Sequence, residues 1–123
     1  ELRREAMEAS RLARLGSKPD TPWVMRQLPR NGTPIVATSD YVSAVADLIR
    51  PWVGDPYLAL GTDGFGRSDG RDALRQHFEV DRNSVLLAAL TALADEGGVD
   101  RRTVVRAMTE LGIDPEKPNP VTQ

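Results

Sequence analysis

The sequence contains no cysteine and only one histidine. Without cysteine the chain cannot form disulfides, use a thiolate nucleophile or build a cysteine-based zinc site. A single histidine leaves little beyond carboxylates for a metal site. The lack of cysteine is compatible with a reducing, cytoplasmic location.

Long apolar runs and an excess of charge are also missing. No stretch approaches the roughly 20 apolar residues of a membrane helix, and no leader pattern is found, so we expect neither in this chain. Sixteen basic residues stand against 18 acidic ones, and this net charge of −2 argues against a nucleic-acid binder. The basic excess within residues 1–34 is interpreted as the solvated face of a first helix.

What is present is the composition of a globular protein. The 123 residues are 40% hydrophobic and 28% charged, which is enough for one domain with its own core. We predict a single, partial domain over residues 1–123. Residues 1–32 form a helical lead-in, and residues 33–123 hold a β-α-β core, C-terminal helices and a proline-rich tail.

The first helix is predicted to begin at Glu1 without a capping residue and to end at Gly16. This uncapped start suggests a piece of a longer polypeptide. A short second helix is predicted after Thr21, which would cap it, with Pro22 at the first helical position. The next breaker is the segment 29–32.

A β-α-β unit is predicted next. Residues 34–39 form a buried strand, Asp40 caps a helix that ends near Pro51, and residues 57–60 form a second strand. The two strands should be parallel. Two strands are too few for a stable sheet, so we expect further strands to be missing or supplied by a partner.

Three helices and an extended surface tail complete the prediction, at residues 71–78, 84–95, 101–111 and 114–120. Asp81 and Asp100 are the predicted caps of the second and third of these helices. The last two helices resemble a helix-turn-helix. Their apolar positions and their lack of net positive charge argue against DNA binding.

The glycine-rich segment 61–70 is the most conspicuous motif. A dinucleotide loop would need a glycine where Asp69 stands, and Asp63 and Asp69 would repel a phosphate. We therefore favour a tight turn in which Ser68 or Asp69 caps the next helix. Nucleotide binding and a contact to another domain remain as alternatives.

His77 is the one histidine, so it provides no spacing from which a catalytic triad or metal site could be tested. A packed ring, or a cation placed near the last carbonyls of a helix, accounts for it.

Three segments of the chain resemble a known family. Residues 33–41, 60–68 and 77–81 are similar to the C-terminal domain of homodimeric pyruvate dehydrogenase decarboxylating components, in the transketolase superfamily. The resemblance covers about residues 33–120, including an ending over residues 113–120. Gln76 and Gly70 depart from the family pattern, which we interpret as surface variation.

The resemblance implies an α/β fold, a three-layer α/β/α domain with a mixed sheet that is N-terminally truncated here. It also implies a parent enzyme that decarboxylates pyruvate and reductively acetylates the lipoyl group of dihydrolipoyl transacetylase. In that family, thiamine diphosphate, Mg²⁺ and the catalytic histidines belong to two upstream domains, and the enzyme is a cytoplasmic homodimer.

The sequence lacks the cofactor motif of that family, which agrees with that placement. Residues 62–64 and 68–70 lack its first glycine, and Asn83 lacks the second asparagine that would bind the metal. We therefore assign no catalytic, cofactor-binding or metal-binding residue in this chain, and we expect the isolated chain to be inactive.

The expected role is structural support of the homodimer, without nucleic acid or membrane as partner. The interface candidates are Asp63, Gly64, Phe65, Gly66 and Arg67. The alternative at the residue level is that Phe65 is core and Arg67 is solvated. The alternative for the whole chain is a small stand-alone binding or regulatory module without catalysis.

Overall fold

The computed structural model describes residues 1–28 and 31–122. Within these ranges two helices precede and three follow a β-α-β unit, as expected for an α/β fold. The helices are α1 (Leu2–Arg14), α2 (Trp23–Gln27), α3 (Ser43–Asp47), α4 (Arg71–His77), α5 (Arg82–Asp95) and α6 (Arg101–Glu110). The strands are β1 (Ile35–Thr38) and β2 (Tyr57–Leu60), and 3₁₀ turns occupy Arg50–Trp52 and Pro120–Thr122.

β1 and β2 form a parallel pair, which confirms the predicted arrangement. Ile35 lies opposite Tyr57, and Thr38 lies opposite Leu60. The expectation that β1 is buried is wrong, because its residues 35–37 are only partly covered and Thr38 is exposed. In a two-stranded sheet each strand has a neighbouring strand on one side only, so its other edge is accessible to solvent. The mixed sheet and the three-layer α/β/α arrangement that the family resemblance implies stay predictions.

The tightest part of the core joins the first two helices to the sheet. Ala6, Val24, Val53 and Tyr57 are buried in one cluster. Ala6 is the one buried residue of α1, so the rest of that helix is accessible, as its sparse apolar pattern predicts. The Tyr57 hydroxyl donates to the carbonyl of Ala46 at 2.8 Å, and burial raises the pKa of this phenol.

The start of α2 differs from the prediction. Thr21 does not cap it, and Pro22 precedes the helix rather than opening it. The backbone N–H of Trp23 instead donates to the Glu5 carboxylate of α1 at 2.9 Å. A side chain from a neighbouring helix thus satisfies an N–H that Thr21 was expected to satisfy. Of the predicted breaker 29–32, Pro29 and Arg30 lie outside the described residues.

The start of α3 is also capped from a distance. Asp40 does not cap this helix, because its carboxylate binds Arg75 instead. The backbone N–H of Ser43 donates to Asp63 at 3.1 Å, across 20 residues of chain. The helix is short, and the chain around Pro51 continues as a 3₁₀ turn rather than as one helix.

The predicted caps of α5 and α6 are confirmed. Asp81 accepts a hydrogen bond from the N–H of Ser84 at 3.1 Å, and Asp100 accepts one from the N–H of Arg102 at 2.8 Å. These local caps need only the adjacent helix, which is why sequence alone could identify them.

Candidate functional site

The glycine-rich loop 61–70 follows β2 directly, at the edge of the sheet where both parallel strands end. In open α/β sheets this edge is the usual place for binding. The base of the loop is bonded to the segment after β1. The Thr62 N–H donates to the Tyr41 carbonyl at 2.9 Å, and the Thr62 hydroxyl donates to the Asp40 carbonyl at 3.2 Å.

Two glycines in this loop lie too close to other backbone atoms to carry a side chain. A Cβ on Gly61 would lie 2.3 Å from the Ser43 nitrogen. Gly64 has a φ of +110°, and a Cβ there would lie 2.6 Å from the carbonyl oxygen of Pro120. Gly66 has open space around it. The loop is therefore held on one side by the start of α3 and on the other by the C-terminal tail.

Phe65 and Arg67 project from this anchored loop. Phe65 is 78% exposed, so the alternative that it belongs to the core is wrong. Arg67 is exposed, but its guanidinium Nη1 lies 3.2 Å from Nδ1 of His77. Arginine always carries donors, so this ring nitrogen acts as the acceptor. The loop thus presents an aromatic ring without an internal packing site next to an oriented guanidinium.

The loop's two aspartates are occupied by backbone amides. Asp63 accepts from Ser43 of α3, and Asp69 accepts from the adjacent Gly70 N–H at 2.7 Å. The prediction that Ser68 or Asp69 caps α4 is wrong, because Gly70 occupies the cap position and neither of the two side chains bonds to an N–H of the helix. Each of the two negative charges that argued against an anion at this loop therefore faces a backbone N–H, that of Ser43 in α3 for Asp63 and that of Gly70 for Asp69.

An ion pair links the end of β1 to α4. Arg75 Nη2 lies 2.9 Å from Asp40 Oδ2, and Arg75 Nε lies 3.3 Å from Oδ1. These hydrogen bonds, followed by the positive charges of Arg75 and Arg71, hold the pKa of Asp40 below its usual value. The pair fixes the orientation of α4 beside the loop, although an exposed pair of this kind adds little stability.

His77 does not serve as the cation at the end of α4. Desolvation, then the charges of Arg67 and Lys117, lower the pKa of its imidazole. Lys117 is the cation at this end of the helix, since its Nζ donates to the carbonyls of Gln76 and His77, both at 2.8 Å. Its charge is balanced by Glu79, whose carboxylate lies 3.1 Å away.

The C-terminal tail is not simply extended on the surface. Lys117 bonds to the end of α4, Pro120 is buried, and the last described residues form a 3₁₀ turn. The prediction treated prolines as breakers and did not foresee that the tail packs against the loop.

A cleft of about 400 Å³ lies between the loop and α4. Arg67, Arg71 and Arg75 contribute positive charge to its lining, Asp40 contributes negative charge, and Leu74 and Phe78 contribute apolar surface. The arrangement suits binding of a negatively charged group.

Sequence reasoning missed Arg71, Arg75 and Lys117. The one signal for the first two was their spacing of four residues, which puts them on one face of a helix.

Within residues 1–28 and 31–122 we find no group of three or more histidine, aspartate or glutamate side chains that could hold a metal ion. No described helix has the length and apolar character of a membrane span.

Comparison with known proteins gives a consistent result. The family model described as the transketolase-like TK C-terminal domain matches residues 5–81. The pyruvate dehydrogenase E1 component of Pseudomonas aeruginosa is 48% identical over 98% of this chain, and that of Cupriavidus necator is 48% identical over 99%. The E1 component of Escherichia coli K12 is 42% identical over 98%. The chain spans 14% of the length of each of these relatives. Similarity over nearly the whole chain favours a segment of a larger enzyme over a stand-alone binding module.

Proposed function

The chain belongs to the transketolase-like C-terminal domain family, and on that basis we propose that it is a structural segment of a pyruvate dehydrogenase E1 component. The complete enzyme would decarboxylate pyruvate and reductively acetylate lipoyl groups of a dihydrolipoyl transacetylase. The support for this assignment is similarity to E1 components over 98% of the chain. On the same family assignment we propose a cytoplasmic location.

Thiamine diphosphate and Mg²⁺ are the proposed cofactors of the complete enzyme, which supply carbanion stabilisation when bound. The described residues of this chain do not fit that site. Asp63 and Asp69 are occupied by backbone amides, and no metal-binding cluster is found among residues 1–28 and 31–122. We therefore assign the cofactor to other domains of the enzyme.

The proposed role of this segment is to support the enzyme's homodimer through the loop 61–70. The observation that carries this role is the 78% exposure of Phe65 on a loop whose base is bonded at Thr62 and Asp63. A large aromatic side chain has few rotatable bonds, and on a loop whose backbone is already anchored it loses little conformational entropy on association. Aromatic and arginine side chains dominate the binding energy of protein interfaces, and Arg67 lies two residues away.

Phe65→Ala in the full-length E1 enzyme tests this role. Removal of an interface anchor should raise the dimer dissociation constant at least tenfold, which corresponds to about 1.4 kcal/mol. Sedimentation over a dilution series measures the constant. Leu15→Ala is the control, because Leu15 is 67% exposed but lies at the end of α1. An unchanged constant for Phe65→Ala would contradict the proposal.

A further inference from the structure

We propose that the cleft between the loop 61–70 and α4 receives a carboxylate side chain of the dimer mate, beside the surface that covers Phe65. This inference rests on the proposed dimer role of the loop and adds the chemistry of the partner surface. The cleft, of about 400 Å³, opens next to the exposed Phe65 and is lined by Arg67, Arg71 and Arg75.

The positive charges that line the cleft are only partly balanced. Arg75 is matched by Asp40 through two hydrogen bonds. Arg67 contacts the ring of His77 and no carboxylate, and Arg71 forms no ion pair with any residue of the described ranges 1–28 and 31–122. Arg67 on the loop and Arg71 on α4 thus have no ion-pair partner among the described residues, and the negative charge of Asp40 in the lining is already bonded to Arg75.

Three of the nearby acidic residues have partners other than the arginines of the cleft. Asp63 and Asp69 accept hydrogen bonds from backbone amides, and Glu79 pairs with Lys117. Asp72, in the first turn of α4, forms no ion pair among the described residues; the pKa of Arg75 is raised mainly by its hydrogen bond to Asp40 and the charge of Asp40, and to a smaller extent by the charge of Asp72. None of these carboxylates forms an ion pair with Arg67 or Arg71.

A partner surface that covers Phe65 also changes the surroundings of the neighbouring arginines. A partner that buries this ring also removes Arg67 from water, and the Arg71 guanidinium lines the same cleft. Burying a guanidinium without an acceptor is strongly unfavourable, whereas a carboxylate matches its planar donors in a bidentate pair. The apolar side chains of Leu74 and Phe78 in the lining can cover the methylene stem of that acidic residue.

The guanidinium of Arg67 is oriented before a partner binds. His77 accepts the contact from Arg67 at Nδ1, and the ring is partly buried. A guanidinium already held in one orientation loses less entropy when it binds a carboxylate. The cleft therefore combines an oriented donor, Arg67, with a free one, Arg71.

The experiment uses the full-length E1 enzyme and the variants Arg67→Gln, Arg71→Gln and Phe65→Ala. Arg106→Gln is the control, since Arg106 lies on α6 and pairs with Glu110 outside the cleft. The dimer dissociation constant is measured at low and high salt. We expect Arg67→Gln and Arg71→Gln each to raise the constant about tenfold at low salt and to reduce its salt dependence, Phe65→Ala to raise the constant without changing its salt dependence, and Arg106→Gln to change neither.

The outcomes separate this inference from the proposed function. If Phe65→Ala weakens the dimer and both arginine variants leave the constant and its salt dependence unchanged, the carboxylate is ruled out while the dimer role stands. If Phe65→Ala has no effect, the dimer role itself fails. Inorganic phosphate is the probe for an open cleft: calorimetric binding to the wild-type dimer that Arg71→Gln abolishes would also overturn the inference, because an occupied cleft cannot accept it.

Discussion

Gly64 shows at the scale of one residue why the loop has its composition. Its φ of +110° lies in the region that side chains avoid, and the carbonyl oxygen of Pro120 lies 2.6 Å from where a Cβ would be placed. Both constraints exclude a Cβ atom at position 64. Gly66, two residues later, is subject to neither constraint, so of these two glycines only Gly64 is required by the backbone around it.

Gly64→Ala should therefore lower the free energy of unfolding by about 2 kcal/mol, from backbone strain and from displacement of the tail. Gly66→Ala is the matched control and should change it by less than about 0.5 kcal/mol. Denaturant unfolding of both variants measures the difference. Equal losses would show that the tail does not restrict the loop at Gly64.

At the scale of elements, two helices receive a cap from distant parts of the chain. Asp63 of the loop caps the start of α3, and Lys117 of the tail caps the end of α4. The first contact holds the loop directly, and the second lies at the end of α4, where His77 contacts Arg67 of the loop. The order of the loop thus depends on α3, α4 and the tail together, although α3 and α4 are only five and seven residues long.

Lys117→Met keeps the length of the side chain and removes its donors. The carbonyls of Gln76 and His77 would lose their partner, so we expect a loss of about 1 kcal/mol in the free energy of unfolding. Lys18→Met is the control, because Lys18 is exposed outside any helix, and it should change the value by less than about 0.5 kcal/mol. A loss as small as that of the control would contradict a capping role for Lys117.

At the scale of the whole molecule, one buried cluster joins residues 1–28 to the sheet. Val24 of α2 is 1% exposed and packs with Ala6, Val53 and Tyr57. The first two helices are thus packed on the sheet and are more than a lead-in to it.

Val24→Ala should lower the free energy of unfolding by about 2 kcal/mol, from two lost methyl groups and the cavity they leave. Val105 is 56% exposed on α6, and Val105→Ala should be neutral or slightly stabilising because alanine favours helices. Thermal unfolding of the two variants gives the comparison. Equal stability would mean that α2 does not share the core of the sheet.

The sequence by itself determined the features that depend on neighbouring residues. Asp81 and Asp100 cap the helices that follow them, and the run at residues 57–60 forms a strand parallel to β1. Periodicity, β-branched residues and a capping side chain within three positions are enough for such predictions. The motif at residues 60–68 likewise identified the family, which the match over residues 5–81 confirms.

Only the tertiary structure decided which side chains meet across the chain. Asp40 and Asp69 looked like local caps, but Asp40 binds Arg75, 35 residues away, and Asp69 bonds to the N–H of its neighbour Gly70. Lys117 caps α4 in place of His77. A carboxylate or an ammonium group bonds to whichever partner the packed chain brings within about 3 Å, and this distance depends on the arrangement of all the helices around the loop. The charged cleft beside Phe65 is a product of that arrangement.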